Sequence, residues 1–195
     1  MSAQSKQVLR KVYSAKRGAI SASDRQKAAE AAARHWVVEI HFQSSQHIAC
    51  YLPFRDELDS LPLLQAIWES NKICYLPVLT VEKKLHFVRY NKGDKLIPNQ
   101  YSILEPENKS RLLAAENLDI VITPLVVFDE KGHRLGTGGG YYDRTFAFRQ
   151  QQSICPPFLL GLAYALQKTE AIPVDPWDIN LDAVLTEQGC HFFKQ

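Results

Sequence analysis

Apolar residues in this chain come in short, separate bursts. HIACYLPF (47–54), KICYLPVLT (72–80), LDIVITPLVVFD (118–129), PFLLGLAY (157–164) and LDAVLTE (181–187) are bounded by polar or turn-forming residues. Runs of this length predict strands buried in a sheet. LHFVRYN (85–91) alternates instead, which predicts an edge or hairpin strand reached through the polar turn at Glu82, Lys83 and Lys84. The intervening segments have helical spacing. Residues 5–18 form a helix with a basic face. Ser23 with Gln26 reads as a capping box opening a second helix over SDRQKAAEAAARHWVVEIHF (23–42). SLPLLQAIWESN (60–71) puts Leu63, Leu64, Ile67 and Trp68 on one side, and a further helix is expected from about Tyr141 to Gln151.

Strands that alternate with helices predict an α/β fold, a single domain over residues 1–195 with an open, mainly parallel sheet. Three strand candidates run into proline, at Leu52-Pro53, Leu76-Pro77 and Thr123-Pro124. Proline lacks the N–H that a central strand donates, so it marks where pairing stops. The polar residues just beyond these points should gather at the carboxyl edge of the sheet, where open α/β sheets bind ligands.

Composition narrows the partners. A formal net charge of +2 over 195 residues gives no reason to expect nucleic acid. No apolar run approaches a membrane span, and MSAQSKQVLRKVYSAKRGAI contains no apolar core of a secretory signal. Its lack of acids before Asp24 faintly resembles a transit peptide, which stands as the alternative to a cytoplasmic location. Cys50, Cys74, Cys155 and Cys190 form no CxxC pair and read as reduced cysteines of a cytosolic protein. The six histidines form no HxxxH or HExxH spacing, and Cys190-His191 is an incidental pair.

GHRLGTGGGYYDRTF (132–146) is where chemistry concentrates: it carries five of the nine glycines. Gly136, Gly138, Gly139 and Gly140 lie between a strand and a helix start. Free N–H groups in such a place cradle anions, phosphate above all. A plain surface turn is the competing reading. The string is not G-x-x-x-x-G-K-[ST], and Tyr141 breaks the GxGxxG of a dinucleotide fold, which disfavours a Rossmann oxidoreductase.

The string RLGTGGGYYDR closely resembles the signature of the 5-formyltetrahydrofolate cyclo-ligase (5,10-methenyltetrahydrofolate synthetase) family. Lys6 and Arg10 in K-x-x-x-R, DELDS at 56–60, DIVITPLVVFDEKGHRLG and PVDPWDINLDAVLTEQG follow in the family's order, so the resemblance spans nearly the whole chain. It implies a three-layer α/β/α domain similar to the sugar-phosphate isomerase and CoA-transferase group. It also implies an ATP- and Mg²⁺-dependent reaction. The γ-phosphoryl group moves to the formyl oxygen of 5-formyltetrahydrofolate, and N10 of the same folate attacks the resulting iminophosphate. Ring closure to 5,10-methenyltetrahydrofolate then releases phosphate. The intramolecular step makes positioning valuable, and the moving phosphoryl group needs cations around it.

By the same resemblance, Lys6, Arg10, Arg134, Gly136, Thr137, Gly138, Gly139, Gly140, Tyr141 and Tyr142 bind ATP. Phe54, Glu57, Tyr141 and Tyr142 contact folate. Asp143 and Asp182 hold the metal, and Arg134 and Asp143 are the catalytic pair. Thr137 departs from the larger or basic residue common in the family. Trp177 stands where many relatives carry histidine and is expected to pack. The residue-based readings remain beside these. Lys6 and Arg10, like Lys11, Lys16 and Arg17, suit a solvated basic helix face. Glu57 suits a helix-terminal acid, Phe54 a core strand end, and Asp143 a first-turn acid. One of Tyr141 and Tyr142 should pack inward, since neighbours on a helix point about 100° apart. The implied partners are two small molecules acting on a monomer, with no nucleic acid and no membrane. A paralogue for another formyl or folate-like substrate, and a binding module without turnover, remain the alternatives.

Overall fold

The structure, a computed structural model, describes residues 2–151 and 156–193. Chain order runs through α1 (Ser2–Gly18), α2 (Ala22–Val37), α3 (Ile40–Ser44), β1 (His47–Ala49) and α4 (Leu61–Glu69). Next come β2 (Ile73–Leu79), β3 (Leu85–Arg89), β4 (Leu96–Pro98), β5 (Leu104–Pro106), β6 (Leu112–Leu113), β7 (Ile120–Pro124), β8 (Val127–Phe128) and β9 (Arg134–Leu135). The chain closes with α5 (Tyr141–Thr145), β10 (Phe158–Leu162), β11 (Ala183–Thr186) and β12 (Gly189–Phe192).

Eight strands pair in the order β12-β11-β10-β7-β1-β2-β3-β6. The five from β11 to β2 are mutually parallel, and β12, β3 and β6 pair antiparallel at the two edges. The expected α/β class with a mainly parallel sheet is what the chain adopts. Each parallel strand buries both faces, which is why its sequence reads as an unbroken apolar run. Ile48, Cys50, Ile120, Ile122, Leu160 and Leu162 meet Trp36 of α2 and Leu63, Leu64 and Ile67 of α4. The intervening Ala49, Val121 and Leu159 face Phe146, Ile179 and Leu181 on the other side. That second layer is made of α5, the 3₁₀ turn at 147–151 and loops rather than long helices. Full burial of each large side chain contributes about 1.5–3 kcal/mol, so the two faces dominate stability.

Several boundaries differ from those the pattern predicts. The cap of α2 is Ser21, whose Oγ accepts the Asp24 N–H at 3.1 Å, so Ser23 and Gln26 lie inside the helix. The expected helix over 23–42 ends at Val37 and resumes as α3 from Ile40. The run 118–129 divides at Pro124 into β7 and the separate hairpin β8–β9. Pro77 sits within β2, but β1 pairs with β2 only as far as Tyr75, so pairing on that side does stop before the proline. The expected helix over 141–151 is α5 followed by a 3₁₀ turn. Among the described residues, Cys50, Cys74 and Cys190 are free thiols, and Cys155 lies outside them. No helix among the described residues is long and apolar enough to cross a membrane.

Helix α1 packs apart from the sheet. Tyr13 joins Val126, Val127, Leu135 and Ile172 in a small core, with Leu9 against it. That contact lays α1 along the β8–β9 hairpin, so its polar residues reach the loop that follows β9.

Candidate active site

The glycine loop leaves β9 and turns into α5. Gly138 and Gly140 have φ of +110° and +67°, a region that side-chain-bearing residues avoid. Gly140 serves as the N-cap of α5. A Cβ on Gly139 would stand 2.8 Å from the Tyr141 ring, so the absence of a side chain there keeps that ring in place. Arg144 Nη1 ties the loop by donating to the Gly139 carbonyl at 2.7 Å. Thr137 is exposed at the tip.

Arg10 meets this loop directly: its Nε donates to the Gly136 carbonyl at 2.9 Å, and its guanidinium lies over Gly138. Lys6, one turn earlier, is buried and turned to the segment PVDPWD. Its ammonium bonds Asp175 at 2.8 Å and Asp178 at 2.7 Å. Burial works against the charge on Lys6, but the two aspartates outweigh it and raise its pKa above 10.5. Trp177, between those aspartates, is 64% exposed, contrary to the expectation that it packs. The backbone carbonyl of Pro176 is held by Gln150 at 2.8 Å, which fixes the segment while the indole stays outside.

Arg134 and Asp143 form one unit. Arg134 Nη2 donates to Asp143 Oδ1 at 2.8 Å, the Ile179 N–H joins the same oxygen at 3.2 Å, and Arg134 Nη1 donates to the Ile179 carbonyl. Oδ2 of Asp143 makes no hydrogen bond among the described residues, and the side chain is 27% exposed. Asp182 is placed differently. It precedes β11, is buried, and takes Arg149 Nη2 on both oxygens at 2.9 Å and the Leu159 N–H on Oδ2 at 2.6 Å. Each aspartate therefore answers a different arginine. No group of three or more His, Cys, Asp or Glu able to hold a metal occurs among the described residues.

A second cluster forms beyond the carboxyl end of β1. Phe54 and Glu57 close a tight turn: the Phe54 N–H donates to Glu57 Oε2 at 3.0 Å, and Arg55, at φ +55°, carries its guanidinium over the Phe54 ring. Burial pushes the Glu57 carboxyl above its usual 4.5, against the Phe54 hydrogen bond and the nearby charge of Arg17. Glu57 in turn acts electrostatically on the hydroxyls of Tyr51 and Tyr142, both raised above the ordinary phenol value first by burial. Asp56 is engaged elsewhere, with Arg25 at 3.1 Å. Tyr142 stacks on Phe146, and the charges of Glu57 and Arg134 both act on its hydroxyl. The neighbouring Tyr101 hydroxyl raises that of Tyr141 above its usual value. Tyr142 thus joins the two clusters, one around Glu57 and one around Arg134 and the glycine loop.

Three contributors carry little or no local sequence signal. Arg17 was expected on a solvated face and is 5% exposed. Arg149 and Tyr101 gain their places only through contacts far along the chain. Arg17 does lie at an i, i+7 spacing from Arg10, the one hint that it shares the same helix face.

The fold and family follow from three comparisons. The model of the 5-formyltetrahydrofolate cyclo-ligase family matches residues 2–187. The chain is 38% identical to the 5-formyltetrahydrofolate cyclo-ligase of Haemophilus influenzae, over 95% of this chain and 99% of that one. It is 38% identical to the enzyme of the same name from Escherichia coli K12, over 88% and 94%. The solved structure of Aquifex aeolicus 5,10-methenyltetrahydrofolate synthetase superposes with a TM-score of 0.82 at 30% identity, over 97% of this chain and 93% of that one. With the match running through Lys6, the glycine loop and Asp182 alike, the chain belongs to the 5-formyltetrahydrofolate cyclo-ligase family.

Proposed function

We infer that this chain is an ATP-dependent ligase that converts 5-formyltetrahydrofolate to 5,10-methenyltetrahydrofolate, releasing ADP and phosphate. The observation that carries the reading is the glycine loop. Its left-handed backbone opens toward solvent with Arg10 across it and the Arg134–Asp143 pair at its exit. Such a loop suits a triphosphate, which brings charge but little shape. Free, buried Cys50 and Cys74 fit a reducing cytoplasm, where we place this enzyme as a monomer acting on two small molecules.

In this reading the nucleotide lies on Gly136, Thr137, Gly138, Gly139 and Gly140, with Arg10 on its phosphates. Lys6 joins it by exchanging an aspartate for a phosphate oxygen. Arg134 steadies the charge on the phosphoryl group in flight. The folate lies in the cluster of Phe54, Glu57 and Tyr142. Glu57 accepts hydrogen bonds from the N–H groups of the pterin, and Tyr141 covers the junction with the loop. This places the formyl oxygen between the two clusters. Transfer of the γ-phosphoryl group to that oxygen gives the N5 iminophosphate. N10 attacks its carbon, the C–O bond to phosphate breaks, and the N10 proton leaves to solvent.

The donors fit Mg²⁺ at one carboxylate. Asp143, with an uncommitted oxygen and partial exposure, would hold the ion beside phosphate oxygens and water. Asp182 would join only by releasing Arg149, and otherwise orients Arg149 and the start of β10. When bound, the ion neutralises charge on the triphosphate and on the transferring group.

The test is a single reaction on purified protein, with 5-formyltetrahydrofolate and Mg·ATP. It follows methenyl product by near-UV absorbance alongside ADP. One methenyl formed per ADP supports the reading. ADP formed without methenyl product, at a rate independent of folate, rejects it.

A further inference from the structure

Arg17 differs from every other basic residue on α1. It is 5% exposed, near the end of the helix. Its Nη1 donates to the Leu125 carbonyl at 3.1 Å, while its Nε is buried and without a hydrogen-bond partner. No carboxylate lies within ion-pair distance of it among the described residues. A buried cation left incomplete in this way is costly unless something outside the chain completes it.

The position of Arg17 says where that something binds. Leu125 follows the carboxyl end of β7, and Tyr51 and Glu57 follow the carboxyl end of β1. β1 and β7 are adjacent, and the order of strands reverses between them: β2 lies beyond β1 on one side, β10 and β11 beyond β7 on the other. This is the crevice in which open parallel sheets take their ligands. Arg17 and Glu57 face each other electrostatically across it without pairing, and the buried hydroxyl of Tyr164, after β10, is a second polar atom there without a partner.

We propose that Arg17 is a substrate-binding residue that donates to the C4 carbonyl of the pterin ring while Glu57 accepts from the adjoining N3–H and 2-amino groups. The proposal rests on the folate reading above. A pterin in its amide form presents donor, donor, acceptor along one edge. Glu57 matches the two donors, and the acceptor needs a donor from the protein. Arg17 is that donor. A site built this way discriminates strongly, because the wrong partner leaves buried groups unmatched.

The test compares 5-formyltetrahydrofolate with its 4-amino analogue, which replaces the carbonyl acceptor by a donor and the N3–H facing Glu57 by an acceptor. In the unaltered enzyme the analogue is expected to inhibit with an affinity ~100-fold below that of the substrate. Arg17→Met should raise the folate KM by at least ~10-fold, leave the ATP KM within about twofold, and narrow the preference for the 4-oxo compound to the part that Glu57 supplies through N3–H. Leu125 keeps a donor in that variant, because Gln167 Nε2 also bonds its carbonyl at 2.9 Å, so the fold has no new orphan. Arg17→Lys provides a second variant that keeps the charge: it should retain the 4-oxo preference with a folate KM raised a few-fold. Equal losses for both pterins, an equal rise in the ATP KM, or an unchanged folate KM would overturn the proposal. Failure of the unaltered enzyme to turn over 5-formyltetrahydrofolate would instead remove the folate reading, and the proposal with it.

Discussion

The glycine loop and the crevice beyond β1 handle charge in opposite ways. Around the loop two cations are already ion-paired, Lys6 with Asp175 and Asp178 and Arg134 with Asp143, while Arg10 donates to the Gly136 carbonyl. In the crevice buried Arg17 and half-buried Glu57 act on each other without pairing. In the proposed reading the difference follows the ligands. A triphosphate is highly charged, so it can displace an internal carboxylate and leave the cations no worse off. A pterin is neutral and can offer only hydrogen bonds. It gains most from groups that have already lost their water and have not been compensated. A polar site can therefore be stored in satisfied ion pairs, while a site for a neutral heterocycle is stored as unmatched polarity.

The comparison can be broken from either side. The largest effect is expected at Asp143. Asp143→Ala should lower turnover by roughly 10²–10³-fold, measured as ADP release, while 5-formyltetrahydrofolate still binds in calorimetry and the circular dichroism is retained. Next comes Glu57→Gln, which should weaken folate about 10–100-fold, the range expected for a lost charge-assisted hydrogen bond, and leave ATP within about twofold.

The pH dependence of that second variant sharpens the point. Burial holds the Glu57 pKa above 4.5, so its accepting carboxylate form grows in as pH rises through that raised value. The folate KM should fall over that window in the unaltered enzyme and stay flat in Glu57→Gln. Stability runs the other way. A raised pKa means the native state holds this proton longer than the unfolded chain, so the group's contribution falls as pH rises above 4.5. Thermal unfolding of the Gln variant should lack that loss.

Gly139→Ala is a smaller perturbation. Its Cβ would meet the Tyr141 ring at 2.8 Å, so the ring must move, and ATP affinity should drop about 10-fold with folate nearly unaffected. The smallest effect is predicted for Asp178→Asn. Lys6 keeps Asp175 but is held less tightly. ATP affinity should rise about two- to fivefold, and the unfolding temperature should fall by a few degrees.

How much of this was legible in the sequence varies with distance along the chain. The parallel strands were, because burial on both faces leaves a run such as Val121-Ile122-Thr123 with no alternation to misread. The glycine loop was, because its conformational needs are local. The short strands β4, β5, β6, β9 and β12 were not, since two to four half-exposed residues impose no period. The break in the long helix after Val37 was missed because neither glycine nor proline marks it. Ser21 outcompeted Ser23 as the cap because Asp24, three residues on, supplies both an N–H and a carboxylate to it. Lys6 meets its aspartates across 169 and 172 residues, and Arg17 is buried only because α1 lies against the end of β7. A basic helix face gives no sign of which of its cations a distant segment will cover.

The most direct test of the division between the two regions is a crossed titration. Mg²⁺ with a non-hydrolysable ATP analogue, and separately 5-formyltetrahydrofolate, would be titrated into Glu57→Gln and Gly139→Ala. The account predicts that Glu57→Gln loses folate affinity alone and Gly139→Ala loses nucleotide affinity alone. Equal loss of both ligands in both variants would contradict it, and would mean that the loop and the crevice form one undivided site.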